Sequence, residues 1–594
     1  MNPIAEYHRR LTERRTVAER EQAQFRWIGN ARLLTGIVGV IMAFFVFGEV
    51  VISFWWLLAP LILFLILVVA HARVWENLER ANRSVLFYER GIERLENRWM
   101  GKGETGDRFR NPSHIYESDL DIFGKGSLFE LLSTARTRSG EDALAAWLLA
   151  PASRDETAMR QAAVQELQPS IDLREELAVL GESVRSDMDS GAVARWGEGP
   201  EVEFPRGAPM IAAVLAAGVL LTFSLYMAGL VTRTPFLATL FVELSYAFFL
   251  GGRTLRVSAG VNSPAHDLAL LGKLLERLEK EPFQAPLLLR MQAELKASGL
   301  VASEEIGRLR RLVARLDWQR NMFFTPIAMA TLWGAQVAMA IERWRKRSGP
   351  HIRAWISGAG EFEALFALAG YSYEHPHNTF PELKDEPGGW FDAAGLGHPL
   401  LPESQRVPND LRLGAELRLL IVSGSNMSGK STLLRSVGLN SVLAWAGAPV
   451  CATRLSISPV TVGASIRVND SLQDGRSRFY AEITRLREIV NLAAQPQTVL
   501  FLIDELLSGT NSHDRRIGAS AIVRTLIDRG AIGMITTHDL ALAHIADDLA
   551  GRAGNVHFAD TFEDGKLHFD YRLGPGVVER SNALDLMRSV GLEV

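Results

Sequence analysis

A glycine-rich segment directly after an apolar run restricts the fold of this chain more than any other feature. Residues 424–431 read Gly-Ser-Asn-Met-Ser-Gly-Lys-Ser, and the residues before them, Leu419–Val422, are all aliphatic. The pattern G-x-x-x-x-G-K-[ST] between a buried strand and a helix is a phosphate-binding loop. Its backbone N–H groups and the helix N-terminus face a phosphate chain. The sequence therefore predicts an α/β P-loop domain in the C-terminal part of the chain.

The residues of this loop have separate predicted roles. Lys430 would reach the β- and γ-phosphates of a nucleotide, and the Ser431 hydroxyl would bind Mg²⁺. The expected cofactors are therefore ATP and Mg²⁺. The other loop residues predicted to bind the nucleotide are Gly424, Ser425, Asn426, Met427, Ser428, Gly429 and Thr432.

Two further apolar runs end in polar residues suited to the same site. The run Thr498–Ile503 is followed by Asp504 and Glu505. We expect Asp504 to hold Mg²⁺, directly or through water, and Glu505 to act as general base on the attacking water. A third run ends at Thr536 and is followed closely by His538, which could donate to the γ-phosphate from the ligand side of a parallel sheet. The alternative interpretation is that Asp504 and Glu505 are an ordinary solvated acidic pair at the end of a strand.

Between these runs, a second segment is typical of an anion-binding helix N-terminus. Residues 474–482 read Asp-Gly-Arg-Ser-Arg-Phe-Tyr-Ala-Glu, and a helix is predicted from Phe479 to Asn491. Within one nucleotide fold this N-terminus has no phosphate to bind. It acquires one if two copies of the chain face each other, so Ser477 is a candidate site residue in a dimer.

The C-terminal half, roughly residues 350–594, resembles the MutS mismatch-repair ATPases of the ABC-type superfamily. That resemblance implies a homodimer in which Ser477 approaches the γ-phosphate held by the partner, ATP closes the dimer and hydrolysis releases it. It also implies that Asn409 contacts the nucleotide. Residues 127–167 and about 255–345 look like parts of the helical core and lever of that family. The motifs that carry the resemblance are GSNMSGKST at 424–432, GRSRFYAE at 475–482, DELLSGTNSHD at 504–514, TTHD at 536–539, Gly397-His398-Pro399, Pro408-Asn409-Asp410, Asn555–Phe558 and Tyr571-Arg572-Leu573.

The chain also departs from the family pattern. No counterpart of the mismatch-reading domain or of a C-terminal nuclease module is found in the sequence. Arg406 and Val407 stand where the family commonly has an aromatic residue against adenine, and Leu507-Ser508 replace small and basic residues. These differences indicate a membrane-anchored branch of the family that lacks the mismatch-recognition domain.

Two apolar blocks predict transmembrane helical hairpins. Residues 33–70 contain Glu49 as their only charge, and a run of 38 residues fits two spans of roughly 18 residues turning near Gly48. The second block, residues 209–250, is interrupted at 232–235 and contains Glu243, which could face a partner helix. The alternative for each block is a buried helical hairpin in a soluble core.

Flanking charges predict the orientation of these four spans. Arginines cluster before and after the first hairpin and after the second, while the connecting turns carry little charge. By the positive-inside tendency, both termini and the ATPase domain would be cytoplasmic, in a multi-pass protein of the inner cell membrane. The apolar stretch 323–341 is expected to be a buried soluble helix, because a fifth span would place the phosphate loop outside.

The resulting domain organisation is a helical core and lever with two hairpins, followed by the ATPase domain. A single cysteine, Cys451, suits a reducing compartment. The predicted segments are a basic cytoplasmic helix at 1–32, a hairpin at 33–70, a helical segment with the start of the core at 71–208, a hairpin at 209–250, the helical core and lever at 251–349, and the ATPase domain at 350–594.

Two arginine clusters leave the question of nucleic-acid binding open. Arg308, Arg311 and Arg315 share one face of a predicted helix, and residues 343–347 form a second cluster. Such clusters contact DNA phosphates, or they are solvated surfaces near anionic lipid head groups. The leading prediction is a membrane-tethered ATPase that binds mismatched or branched DNA. The alternatives are a nucleotide-switched membrane scaffold without DNA and an ABC-type transporter.

Overall fold

The computed structural model describes residues 2–48, 53–185, 189–296, 299–319, 321–385, 388–467, 478–508, 510–549, 551–563 and 566–577. The chain divides into two compact units. The first comprises Met1–Thr134, Leu144–Arg174 and Leu365–Val594, and the second comprises Ala135–Ala143 and Glu175–Ala364. All strands belong to the first unit, and the described part of the second unit is helical.

The elements of regular secondary structure described before residue 380 are all helices, connected by loops. The first two are long: α1 is Pro3–Gly48 and α2 is Leu58–Leu95. The shorter helices that follow are α3 Leu128–Leu132, α4 Arg138–Leu149, α5 Arg154–Leu167, α6 Ile171–Arg185 and α7 Ser190–Glu198. The helices of the later part are α8 Ala208–Met227, α9 Arg233–Lys280, α10 Pro286–Leu295, α11 Ala302–Trp318, α12 Thr325–Ala330, α13 Trp333–Ser348 and α14 Ile352–Glu374.

The C-terminal region is an α/β fold, as the sequence predicts. Its helices are α15 Lys430–Ala446, α16 Arg478–Leu492, α17 Ser512–Asp528 and α18 Leu540–Ala543. Its strands are β1 Glu382–Leu383, β2 Phe391–Leu396, β3 Asn409–Leu413, β4 Leu419–Ser423, β5 Arg454–Ile457, β6 Val460–Ser465, β7 Thr498–Ile503, β8 Ile532–Thr537, β9 Ala553–Glu563 and β10 Lys566–Pro575.

The larger sheet has the strand order β10-β9-β4-β8-β7-β6, and only its β9–β10 pair is antiparallel. Strands β4, β8 and β7 are central neighbours, so their carboxyl ends meet at one edge of the sheet. Their side chains are buried aliphatic and aromatic residues that pack against α16 and α17. Parallel strands buried on both faces read as continuous apolar runs, which explains why the sequence located them. A smaller sheet has the order β1-β5-β2-β3.

The long helices extend well beyond the apolar blocks. Helix α1 has 46 residues and α9 has 48, so the predicted boundaries at 32/33 and 250/251 fall inside helices. Composition changes there while the helix continues, because a helix needs only good helix formers, whereas its surroundings decide the polarity of its side chains. Helix α1 ends at Gly48, and Glu49 lies outside the described residues. Glu243 is fully buried in α9.

Four helices are long and apolar enough to cross a membrane: α1, α2 with the turn before it, α8 and α9. In their most apolar 18-residue windows, only 6% to 17% of the residues are buried inside the protein. A hairpin in a soluble core would hide these side chains from solvent. The alternative of a buried soluble hairpin therefore has little support within this chain.

The stretch 323–341 is not the single buried helix that we expected. Helix α12 contains its first part and α13 its second, and the two helices are separated at Leu332, which has a φ of 48°. Pro326 occupies the first turn of α12, where its missing N–H is tolerated. The first part is largely exposed, while Val337, Ala338 and Ile341 in α13 are buried.

A buried ion pair joins α2 to α14 within the first unit. Arg94 donates to both carboxylate oxygens of Glu374, at 2.7 and 2.5 Å, and the Tyr7 hydroxyl donates to the same carboxylate at 3.2 Å. The Glu374 side chain is 2% exposed. The polar end of α2 is thus attached to α14, the helix that leads into the sheet region.

Replacing Arg94 by Ala is expected to lower the free energy of unfolding by about 3–5 kcal/mol, because Glu374 would remain buried without its counter-charge. The measurement is urea unfolding of the detergent-solubilised protein. The control is Arg98→Ala, which breaks an exposed pair with Glu96 and is expected to cost less than about 1 kcal/mol. Equal effects of the two substitutions would contradict a structural role for the buried pair.

Candidate functional site

The segment between β4 and α15 forms a tight loop whose backbone requires unusual angles. Gly424 has a φ of 151°, Met427 of 70° and Gly429 of 102°. At Gly429 an added Cβ would also lie 3.2 Å from the ring of Tyr571. Glycine adopts such angles without steric cost, so the loop can curl with its N–H groups facing inward. This matches the predicted phosphate-binding loop.

Lys430 begins α15 with its side chain inside the loop. Its ammonium donates to the carbonyl oxygens of Gly424 at 2.9 Å and Ser425 at 2.7 Å. Burial lowers the pKa of Lys430, while the nearby carboxylates of Asp504 and Glu505 oppose this shift. The lysine is held where a phosphate chain lying over the loop would meet it.

Two loop hydroxyls provide a test of whether an anion fits here. The Oγ atoms of Ser425 and Ser428 are buried and have no hydrogen-bond partner within the described residues. A buried hydroxyl without a partner costs free energy, and a phosphate oxygen is an acceptor that would satisfy it. The loop is therefore chemically suited to a phosphate-bearing ligand.

The predicted magnesium ligands are brought together at the ends of β4 and β7. The Ser431 hydroxyl donates to Oδ2 of Asp504 at 2.5 Å. Thr536, at the end of β8, donates to the other oxygen of Asp504 and accepts a bond from the Glu505 backbone N–H at 2.9 Å. Sequence analysis did not assign a role to Thr536. It orients both acidic residues, because the ends of β7 and β8 are neighbours in the sheet.

A cation at this position would take most of its ligands from outside the protein. Across the described ranges, no group of three or more His, Cys, Asp or Glu side chains could hold a metal ion. Mg²⁺ commonly binds one or two protein oxygens together with substrate phosphates and water. Ser431 and Asp504 match that donor set.

Glu505 lies in a sharp turn after β7. Its φ is 47° and that of Leu507 is 54°, both in the left-handed region. The turn is held by Glu482 of α16, which accepts from the Leu507 N–H at 2.6 Å, and by Arg515 of α17, which donates to the Leu507 carbonyl at 3.0 Å. Backbone angles of this kind cost free energy and occur mainly at functional sites, and the contacts from α16 and α17 hold this turn in place.

Glu482 and Arg515 were not predicted as site residues. Glu482 lies on the apolar face of α16, three residues after Phe479 and four before Leu486, and it is 3% exposed. A carboxylate on an otherwise apolar helix face is the signal that could have identified it. Arg515 had no such signal, since arginine is frequent on exposed helices.

The remaining predicted site residues are His538 and Ser477. The Nδ1 atom of His538 lies 3.8 Å from Oε1 of Glu505, which is too far for a hydrogen bond, and the histidine side chain is 50% exposed. His538 is therefore beside the acidic group, as expected from its place after β8. Ser477 lies outside the described residues.

A cleft of about 770 Å³ opens beside the loop. Asn409 lies in it, but its side-chain amide is bonded to the backbone of β10, donating to Tyr571 at 3.0 Å and accepting from Leu573 at 2.7 Å. Asn409 thus positions the β10 strand. The predicted site residues that line the cleft are Asn409, Asn426, Met427, Gly429, Lys430, Ser431, Thr432 and Glu505.

The lining of this cleft also contains residues suited to a ring-shaped ligand. Arg406, which lines it, donates to the Leu401 carbonyl at 2.7 Å. Tyr571 also lines it and has a half-exposed ring. Burial, together with nearby Arg435 and Arg406, lowers the pKa of His398 to about 4, so this residue is neutral at pH 7. The sequence indicates Tyr571 only as part of a motif. The residue lies on a hairpin far along the chain from the loop, so the sequence does not predict which groups its ring contacts.

Comparison with known proteins agrees with this geometry. Residues 420–593 match the family model for MutS domain V. Over 196 residues the chain is 37% identical to the "Endonuclease MutS2" of Thermus thermophilus, which covers 33% of this chain and 25% of that protein. Over 262 residues it is 32% identical to the "DNA mismatch repair protein MutS" of Natronomonas pharaonis, which covers 43% of this chain and 29% of that protein. The chain thus spans roughly a quarter of the length of these relatives.

Proposed function

We propose that this chain, whose residues 420–593 match MutS domain V, is a membrane-tethered, Mg²⁺-dependent ATPase of the MutS type that closes as a homodimer on ATP. The observation that carries this proposal is the arrangement at the ends of β4, β7 and β8. There Lys430, Ser431, Asp504 and Glu505 converge beside a glycine-rich loop with two unsatisfied hydroxyls.

Each of these residues has a defined task in hydrolysis. Lys430 and the loop N–H groups would bind the phosphate chain, and Ser431 and Asp504 would hold Mg²⁺, which when bound would neutralise charge at the phosphates. Glu505 accepts the proton of the attacking water. His538, beside Glu505, donates to the γ-phosphate region.

The nucleotide base would contact Tyr571 and Arg406, which both line the cleft. Tyr571 offers an aromatic face, and Arg406 offers a planar guanidinium group. Both groups can stack on a planar base. A base held between such groups is bound mainly through its ring faces.

Membrane tethering is supported by the two apolar hairpins. The most apolar windows of α1, α2, α8 and α9 leave their side chains on the protein surface, where lipid acyl chains would match them. Arginines flank the apolar segments at the ends opposite the connecting turns. The positive-inside tendency then gives a multi-pass protein of the inner membrane with the sheet region in the cytoplasm.

A role on DNA is the further part of the proposal. The relatives named above have mismatch-repair or endonuclease names, which favours a nucleic-acid substrate over the scaffold and transporter alternatives. We infer that the ATP-bound dimer binds mismatched or branched DNA close to the membrane. The affinity would fall steeply with salt, because phosphate contacts release counterions.

The test uses the full-length protein in neutral detergent micelles. With Mg²⁺ and a non-hydrolysable ATP analogue, the protein mass by light scattering is expected to double, and EDTA is expected to reverse this. A four-way DNA junction is then expected to shift in a gel with the analogue and to shift less at higher salt. A protein that stays monomeric under all conditions contradicts the proposal. If dimers form but never retain DNA, the proposed role in DNA repair would be replaced by that of a nucleotide-switched membrane scaffold.

A further inference from the structure

A groove between α11 and α13 is lined by five arginines. Arg308, Arg311 and Arg315 come from α11, and Arg343 and Arg347 come from α13. The first three share one helix face because they are three and four residues apart, and the last two are four apart. The groove has a volume of about 410 Å³. The two clusters noted in the sequence are therefore one surface, which we call the arginine groove.

The charge of the arginine groove is only partly compensated. Glu305 is 2% exposed and accepts hydrogen bonds from Arg308 and Arg347. Within the described chain, Arg311, Arg315 and Arg343 have no carboxylate within ion-pair distance. Five guanidinium groups therefore share one buried carboxylate, and the groove is strongly positive. Such a surface is complementary to phosphate groups.

An exposed apolar surface lies next to the arginine groove. The side chains of Met322 and Phe323 are 79% and 86% exposed. This surface is fixed to the groove, because the Trp333 indole N–H donates to the Arg315 carbonyl at 2.6 Å and the Trp318 and Trp333 rings stack with centroids 5.9 Å apart. We call this surface the apolar platform. Its exposed members are Trp318, Met322, Phe323, Ile327 and Met329.

The apolar platform is level with one end of the second hairpin. Leu332 and Met339 pack in one cluster with Ala208 and Ala212 of α8, together with Tyr246 and Ala247 of α9. These four hairpin residues lie at the ends opposite the α8–α9 turn. If the hairpin spans the bilayer, the platform lies at its cytoplasmic surface, the depth at which tryptophan is enriched.

We propose that the arginine groove binds the phosphate of anionic phospholipid head groups, while the apolar platform inserts among the adjoining acyl chains. This rests on the membrane tethering proposed above. A basic groove beside exposed aromatic and aliphatic side chains is the usual combination for a membrane surface, where burial of apolar area adds to electrostatic attraction.

The same observations favour lipid over nucleic acid. From Arg308 to Arg315 the groove runs for seven residues, about 10 Å along the helix, which suits one or two head groups. A nucleic-acid backbone would match the arginines but would leave Met322 and Phe323 in water. Lipid accounts for both surfaces at once.

The test compares two charge-matched variants of the full-length protein. Arg311→Gln with Arg343→Gln removes two exposed charges from the arginine groove. Arg310→Gln with Lys346→Gln removes two exposed charges from the same helices outside it. Each protein, in neutral detergent micelles, is titrated with phosphatidylglycerol or phosphatidylcholine, and bound lipid is counted by native mass spectrometry.

The wild type and the control variant are expected to prefer phosphatidylglycerol, and the groove variant is expected to bind it about 10- to 30-fold more weakly. Equal losses in both variants, or no preference in the wild type, would overturn the proposal. Displacement of the lipid by millimolar inorganic phosphate would assign the groove to a free anion. Competition by duplex DNA, lost in the groove variant alone, would assign it to nucleic acid.

Failure of this proposal is distinguishable from failure of membrane tethering. A protein that is retained in membranes but shows no preference for phosphatidylglycerol contradicts only the role of the arginine groove. A protein that remains soluble and monodisperse without detergent contradicts the tethering itself.

Discussion

Replacing Glu505 by Gln is expected to lower the rate of ATP hydrolysis by about 10²- to 10⁴-fold, the usual contribution of a general base. The substitution keeps the size of the side chain and removes its ability to accept a proton. Glu505 lines the cleft, and its backbone is held by the hydroxyl of Thr536. Phosphate release by the full-length protein in detergent measures the effect. Binding of a fluorescent ATP analogue is expected to be unchanged.

The matched control for this substitution is Glu416→Gln. Glu416 is exposed and precedes β4, so it lies at the strand end opposite the site. Its replacement is expected to leave hydrolysis within about twofold of the wild type, as is usual for surface positions. If Glu505→Gln hydrolysed ATP at the wild-type rate, another group would have to act on the water, and the assignment of Glu505 would be wrong.

Replacing Lys430 by Ala is expected to weaken ATP binding by at least about 30-fold, because truncating one partner of a buried charge pair costs about 2 kcal/mol or more. The ammonium lies inside the loop and is the cation there that would contact the β- and γ-phosphates. The measurement is the rise in unfolding temperature with added Mg²⁺ and ATP analogue, which follows the ratio of ligand concentration to Kd.

This substitution also removes two hydrogen bonds within the loop, so a loss of stability must be separated from a loss of affinity. The unfolding temperature without nucleotide reports the first, and the increase caused by nucleotide reports the second. Lys384→Ala is the control, since Lys384 is surface-exposed and paired with Glu382. An unchanged nucleotide-dependent increase in the Lys430 variant would contradict the role of this lysine.

The predicted site residues that the structure brings together are located in the sequence by short-range patterns. Lys430 and Ser431 follow β4 within one loop, and Asp504 and Glu505 follow β7 directly. Each pair is placed by the strand that precedes it, so an apolar run followed by polar residues is enough to locate it. Parallel strands then bring these ends to one edge of the sheet.

Other site residues could not be inferred because their positions depend on packing between distant segments. Tyr571 reaches the cleft through the β9–β10 hairpin, and it is this packing that brings its backbone to the predicted site residue Asn409. Glu482 and Arg515 act on the turn after Glu505 from two different helices. None of these contacts corresponds to a characteristic spacing of residues in the sequence.

The apolar blocks, the glycine-rich loop and the charged strand ends could be identified in the amino-acid sequence. Hydrophobic patterns and the backbone angles of a tight loop depend on residues close together in the chain. The division of 323–341 into two helices and the joining of arginines more than 25 residues apart into one groove required the tertiary structure. Residues on two helices become neighbours only where the faces that carry them pack together. Which faces pack depends on the burial of side chains throughout the unit.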